Sequence, residues 1–159
     1  SILISSLLCC KILLMDFEKG SMENIAITNT KYSVDLLNKY PHVIFVFGDN
    51  MIRKGKGGQA IIRDCQNSFG ISTKRYPKNT QDAFYSDRED EINTTLRDME
   101  QFKRLVLNGK PVILPRGGIG TGLACLPTKS PFIWKMLVED FKNYGIILNE
   151  SGFEKENKQ

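Results

Sequence analysis

His42-Val43-Ile44-Phe45-Val46-Phe47 runs into Gly48-Asp49-Asn50, and Pro111-Val112-Ile113-Leu114-Pro115 runs into Arg116 and then Gly117-Gly118-Ile119-Gly120-Thr121-Gly122. Continuous β-branched and aromatic runs of this length, stopped by glycine, read as strands buried on both faces of a parallel sheet. Around them the period changes to a helical one. Val34, Leu36, Leu37 and Tyr40 give a short helical pattern over residues 33–40, closed by Pro41. Residues 59–68, with Ala60, Ile61 and Ile62, read as a helix opening at the glycines Gly55, Gly57 and Gly58. Ser86 and Glu89 have the spacing of a capping box, and Ile92, Leu96, Met99, Phe102 and Val106 follow every three or four residues until Asn108-Gly109. Ser130-Pro131 is an N-cap and first-turn pair for a last helix carrying Ile133, Leu137, Phe141 and Tyr144. Residues 24–28, 71–73 and 146–148 supply further strands. The alternation predicts a three-layer α/β/α sandwich around a mainly parallel or mixed sheet.

The chain has 159 residues, which is about one domain on the usual prior, with apolar residues at 41% and charged residues at 25%. That balance excludes collagen-like, low-complexity and wholly disordered chains. The domain is expected over residues 22–150, preceded by an extension at 1–21 and followed by a frayed polar tail at 151–159. Residues 1–15, SILISSLLCCKILLM, are apolar, but Lys11 interrupts them and they are too short to span a bilayer. Met15 and Met22 are alternative starts. Four cysteines, Cys9, Cys10, Cys65 and Cys125, have neither zinc-site spacing nor the density of a disulfide scaffold, so Cys65 and Cys125 are expected reduced and buried in a cytoplasmic protein. One histidine, His42, excludes a histidine-rich metal site. No cofactor, metal or membrane partner is expected.

Net charge is only +4, from 22 basic and 18 acidic residues, but its distribution is uneven. Between 51 and 78, Arg53, Lys54, Lys56, Arg63, Lys74, Arg75 and Lys78 face Asp64 alone, whereas 82–100 carries an excess of acids. Because the basic stretch is also glycine-rich, it reads as an anion site, with phosphate as the ligand; the alternative is a solvated face balanced by the acidic helix.

In open α/β sheets ligands bind beyond the carboxyl ends of strands, and both strongest strands here end in glycine-rich loops. Glycine lets backbone N–H groups approach and wrap an anion, so two such loops side by side would clamp a diphosphate. The first loop formally fits G-x-G-x-x-A, the dinucleotide fingerprint, but begins some seven residues after its strand. A P-loop is excluded because Lys56 is followed by glycine. No nucleophile elbow, H-E-x-x-H or kinase set is present.

The strand ending in Asn50, the Gly-Lys-Gly-Gly segment at 55–58, Ile71-Ser72-Thr73-Lys74 and the stretch from Val112 to Leu123 together resemble the macrodomains, within them the branch of ADP-ribosyl glycohydrolases and deacylases. The resemblance covers about 100 residues in order. The wording FGDN…GKGGQAIIRD is also similar to small uncharacterised phage and bacterial proteins. The macrodomain resemblance implies a cleft for ADP-ribose, or for an ADP-ribosylated macromolecule. Gly55, Lys56, Gly57, Gly58 and Gln59 would form one wall, and Gly118, Ile119, Gly120, Thr121 and Gly122 the other. Asn50 would lie near the distal ribose, and Lys74 falls where the branch uses a lysine against the ribose C1. The branch carries an acid where this chain has Ala124, which leaves Asp49 as the carboxylate for acid–base work. Arg116 is a further phosphate-binding cation or the partner of an acid from 87–91. Phe84 or Tyr85 stacks on a base or packs a loop onto the core.

Three other readings stay open. One is a non-catalytic nucleotide sensor or sequestering protein. Another is a Rossmann-like NADP enzyme with Lys74 and Arg75 on the 2′-phosphate. The third is a nucleic-acid binder using residues 51–78, weakened by the scarcity of aromatics interleaved among its cations.

Overall fold

The two apolar runs lie side by side. In the computed structural model, which describes residues 17–19 and 24–157, the strands are Phe17–Lys19 (β1), Ile25–Thr28 (β2), Ile44–Asn50 (β3), Ser68–Lys74 (β4), Val112–Pro115 (β5), Ile146–Asn149 (β6) and Gly152–Lys155 (β7). The α-helices are Val34–Lys39 (α1), Glu89–Leu107 (α2), Leu126–Lys129 (α3) and Pro131–Lys142 (α4), with short 3₁₀ turns at Gly58–Ile62 and Gln81–Ala83. The main sheet has the order β1-β2-β5-β3-β4; β2, β5, β3 and β4 are parallel and β1 is antiparallel at the edge. Ile44 sits opposite Val112 and Phe45 opposite Ile113, so the loops that follow β3 and β5 leave the same end of adjacent strands.

Strand periodicity divides the core in two. Ile25, Ile27, Val46, Ile71, Val112 and Leu114 face α2, α4 and the β6–β7 hairpin, whereas Ala26, Phe45, Phe47 and Ile113 face Tyr32, α1 and the Gly58–Ile62 turn. Both faces are covered, as near-continuous apolar strands require. On the thicker side, Phe102 meets Phe141 and Tyr144 edge to face at 5.4 and 5.3 Å, and Phe141 meets Phe153 at 4.8 Å. On the thinner side the Tyr32 hydroxyl donates to the Val46 carbonyl at 2.6 Å, so its polar end is satisfied inside the core.

Several elements differ from the sequence expectation. The helix expected over 59–68 is only the 3₁₀ turn, and β4 begins at Ser68 rather than Ile71. The chain must turn back to lie parallel beside β3, and Asn67 fixes that return by donating to the carbonyls of Leu37, Tyr40 and Val43. The Ser86 capping box does not form. α2 starts at Glu89, and the Glu91 carboxylate reaches back to accept the amides of Ser86 and Arg88 at 2.7 and 2.9 Å. Leu96 points outward, and Thr95 takes the buried place in its row. Ser130 does precede α4, but its hydroxyl donates to Asp87; the Asp87 carboxylate caps the helix by accepting the amides of Phe132 and Ile133, each at 3.0 Å. A cap supplied from 45 residues away leaves no local signature.

The ends of the domain also shift. Residues 146–148 do pair as a strand, but in a separate antiparallel hairpin with β7 rather than in the main sheet. Residues 151–157 are therefore not a frayed tail: Phe153 is 2% exposed, within the thicker core. Upstream, β1 carries the sheet to Phe17, inside the expected 1–21 extension; the rest of that extension, with Cys9, Cys10 and Met15, lies outside the described residues. No helix among the described residues is long and apolar enough to cross a membrane.

Candidate functional site

Because β3 and β5 are adjacent and parallel, the two glycine loops meet above their carboxyl ends. They enclose a cavity of about 690 Å³ with Gly48, Asp49 and Asn50 at the strand end, residues 54–60 on one wall, residues 117–124 on the other, and Thr73, Lys74, Pro77 and Asn79 beyond β4. The structure thus brings the expected strand-end, glycine-loop and Lys74 positions to one cavity, and leaves Arg116, Arg75, Phe84 and Tyr85 outside its lining. Arg116 does not line the cavity: its guanidinium donates to the Asn29 side chain and the Phe153 carbonyl, tying the start of the second loop to β2's end and to the hairpin.

The walls are held together by Gln59. Its side-chain oxygen accepts the Gly48 amide at 2.9 Å and its nitrogen donates to the Gly118 carbonyl at 2.9 Å, so one side chain spans strand β3, the first loop and the second. Read from sequence as a ligand contact, Gln59 is a strut that sets the separation of the loops.

The first loop is organised by polar contacts. Asn50 donates to the Lys54 carbonyl at 2.8 Å, and Arg63 donates to the Gly55 carbonyl at 2.8 Å and to Lys54's at 3.1 Å. Asp49, whose side chain is 4% exposed, receives Arg63 at 2.6 Å on one oxygen and Arg53 at 3.2 Å on the other, with the Asn50 amide on the first as well. Arg53 also grips Asp98 of α2 at 2.7 Å. Asp49 is therefore an anchor between two guanidiniums, with both carboxylate oxygens engaged in charge-assisted pairs. Asn50 likewise faces the cavity while bonded to loop backbone.

The second loop is organised by close packing. Gly120 has φ +72°, and a methyl there would lie 2.8 Å from Leu126. Gly118 has φ +86° and its α-carbon faces the backbone of Gly152 in the hairpin. The Phe153 amide donates to the Arg116 carbonyl at 2.9 Å, so the hairpin buttresses the loop from behind. Ile119, 1% exposed, forms floor beneath Gly48, while Leu123 at the rim is 74% exposed.

Lys54, Lys56 and Lys74 line the cavity against Asp49 as the one carboxylate among the described lining residues. Lys56 is paired with the exposed Asp64, a contact worth little in water. The Lys74 ammonium donates to the Lys78 carbonyl and to Asn79 at 3.3 Å, with the Phe84 ring 5.1 Å away. Burial lowers its pKa below the ordinary 10.5, opposed by the nearby Cys125. Asn79 and Thr73 were not expected; Asn79 sits in a turn-forming Pro-Lys-Asn-Thr run, which signals a loop but not its placement. Ala124 sits at the wall with no carboxylate in the place where the resemblance called for one. Arg75 is turned away from the cleft, held by Asp90 and Glu91 at 2.9 and 2.8 Å. Tyr85 is fully buried on Ser72, its hydroxyl pushed up to about 12 chiefly by that burial, so it packs the loop and is not free to stack. Cys125 and Cys65 are half-buried free thiols rather than buried ones, and His42 lies exposed in the turn before β3. Among the described residues no group of three His, Cys, Asp or Glu side chains is placed to hold a metal.

No curated protein and no solved structure matches the chain. The match is to a family model, from the end of β2 through both glycine loops to the last turns of α4. Over residues 27–140 the chain matches the family of unknown function DUF7831, and it belongs to that family.

Proposed function

We propose that the protein binds a nucleotide diphosphate of the ADP-ribose type between its two glycine loops, in the manner of a macrodomain. The observation that carries the reading is the convergence of residues 54–60 and 117–124 on one cavity at the carboxyl ends of two adjacent parallel strands, with Gln59 fixing their spacing. Its volume falls within the roughly 300–1,000 Å³ usual for small-molecule sites. The glycines at 57 and 58 have open space over their α-carbons, which leaves backbone amides approachable by phosphate oxygens. Lys54 and Lys56 add positive charge on the same wall.

Hydrolysis of an ADP-ribosyl bond rests on Lys74 alone. Its ammonium lies at the cavity's edge, and burial favours the neutral, nucleophilic amine. A binding module without turnover is the second reading, favoured by the engagement of Asp49 with Arg53 and Arg63 and by Ala124. The NADP reading loses one of its two phosphate ligands, because Arg75 is committed to Asp90 and Glu91 outside the cleft while Lys74 stays at its edge.

Calorimetry with ADP-ribose, ADP, NAD and NADP tests the site. Preference for ADP-ribose is expected; equal or absent heats for all four end the proposal. Incubation with an ADP-ribosylated protein then tests chemistry. If Lys74 attacks as its neutral amine, turnover rises with pH through a value below 10.5 and disappears in Lys74→Ala while ADP-ribose still binds. No release by the parent protein leaves the binding module.

A further inference from the structure

Beside the Lys74 edge of the glycine cleft lies a second recess of about 500 Å³, lined by Arg75, Tyr76, Phe84, Ser86, Arg88 and Lys129, among others. One ring links the two linings. Phe84 pairs with Lys74 in an isolated antiparallel bridge, and its side chain has the Lys74 ammonium at 5.1 Å and the Lys129 ammonium at 5.2 Å. One cation of each recess is thereby held on the same aromatic side chain, no more than about 10 Å apart. Arg75 is neutralised by Asp90 and Glu91. Arg88 and Lys129 form no ion pair among the described residues, while Asp82, whose carboxylate accepts the Thr80 hydroxyl, is the recess's own acid. Lys78, on the segment between the recesses, adds another exposed cation. Half-buried Tyr76 brings an aromatic face to the same recess.

We infer that the cleft and the recess form one track for a single-stranded nucleic acid, with a terminal nucleotide in the glycine cleft and the following phosphates beside Lys74, Lys129 and Arg88. A repeating anion fits this arrangement better than a compact one, because cations recur along a path from the first loop through Lys74 to Lys129. An aromatic on that path adds sequence-tolerant stacking. The inference rests on the proposed nucleotide cleft for the position of the terminal residue, but the recess is tested separately.

The test is fluorescence anisotropy of the full chain with an eight-nucleotide oligothymidylate labelled at its 3′ end, run over a salt series beside calorimetry with ADP-ribose. The parent protein is expected to bind the oligonucleotide at low salt. The double variant Arg88→Gln with Lys129→Gln keeps both side-chain stems and is expected to bind it about tenfold more weakly, with a salt slope smaller by about 1.4, as two lost single-strand phosphate contacts require. Its affinity for ADP-ribose stays that of the parent. A parent that ignores the oligonucleotide, or a double variant that binds it equally well, overturns the track even if ADP-ribose binds. Oligonucleotide binding that is lost in the double variant, in a parent that ignores ADP-ribose, supports the track and removes only the diphosphate reading.

Discussion

The two glycine loops share a cavity but are built by opposite means. The first, at 54–58, is held by side chains that reach its carbonyls from outside, Asn50 and Arg63 above all, and its Gly57 and Gly58 touch nothing over their α-carbons. The second, at 117–122, is held by contact, with Gly120 against Leu126 and Gly118 against Gly152 of the hairpin. Glycine therefore does two different jobs here. At Gly118 and Gly120 it makes room for the protein itself, as it does for Pro77 at Gly55; at Gly57 and Gly58 it leaves room for something else. Polar contacts on an exposed loop permit small movements, whereas a packed turn has one arrangement. The first loop is accordingly the adjustable jaw and the second the fixed one, joined by Gln59.

The comparison is most severely tested at the buttress. Phe153→Ala empties a core position in contact with Phe141 and loosens the hairpin behind the second loop, and is expected to cost about 3–5 kcal/mol in denaturant unfolding. A loss under about 1 kcal/mol would falsify the buttress, since exposed positions cost no more than that. On the other jaw, Asp49→Asn leaves Arg53 and Arg63 facing a neutral group and should cost about 1.5–3 kcal/mol, the range for hydrogen bonds to a charge. Proteolysis between residues 53 and 58 should quicken with it; an unchanged cleavage rate would mean the anchor does not order the loop.

Gly120→Ala combines a positive φ with a clash on Leu126, and about 1–3 kcal/mol is expected from equilibrium unfolding. Asp87 carries a smaller load, about 1 kcal/mol as the cap of α4. Burial would raise its pKa, but the Ser130 hydroxyl and the amides of Phe132 and Ile133 outweigh that and hold it below the ordinary 3.8. A depressed carboxylate stabilises the fold above its unfolded pKa, and the contribution disappears as pH falls through the lower folded value. Unfolding titrations from pH 6 to 2 should therefore show Asp87→Asn and parent converging in acid; a constant gap would discard the cap. The smallest effect is expected at Gly57→Ala, where φ is −78° and space is open: stability within about 0.5 kcal/mol, with any loss confined to ligand affinity. Equal destabilisation at Gly57 and Gly120 would erase the distinction between the jaws.

How much of this was legible beforehand varies with range. The apolar runs over 42–47 and 111–115, the α2 and α4 periodicities and the glycine clusters each lie within one segment, and all reappear as elements or loops. The short crossover at 58–67 did not show itself, because its brevity is imposed by Asn67 bonding to carbonyls at 37, 40 and 43. Nor did the Asp87 cap or the hairpin strand at 152–155, whose sequence Gly-Phe-Glu-Lys is polar except for the one side chain that enters the core. Among the site residues, neither the tether of Arg116 nor the span of Gln59 has a local signature, because each bonds a partner distant in the chain.

What the sequence by itself determined is the pair of buried strands and the glycine loops that end them, because backbone preference and apolar periodicity act between near neighbours. That the strands are adjacent and parallel, so that both loops open at one edge, was decided only by the tertiary structure. So were the pairing of Asp49 with two arginines, the span of Gln59 and the support of the second loop by the last strand. Apart from the i,i+4 contact of Arg53 with Asp49, these depend on groups brought together from 11 to 59 positions apart, and no local energy term records which of many polar partners a side chain will meet once the core has closed.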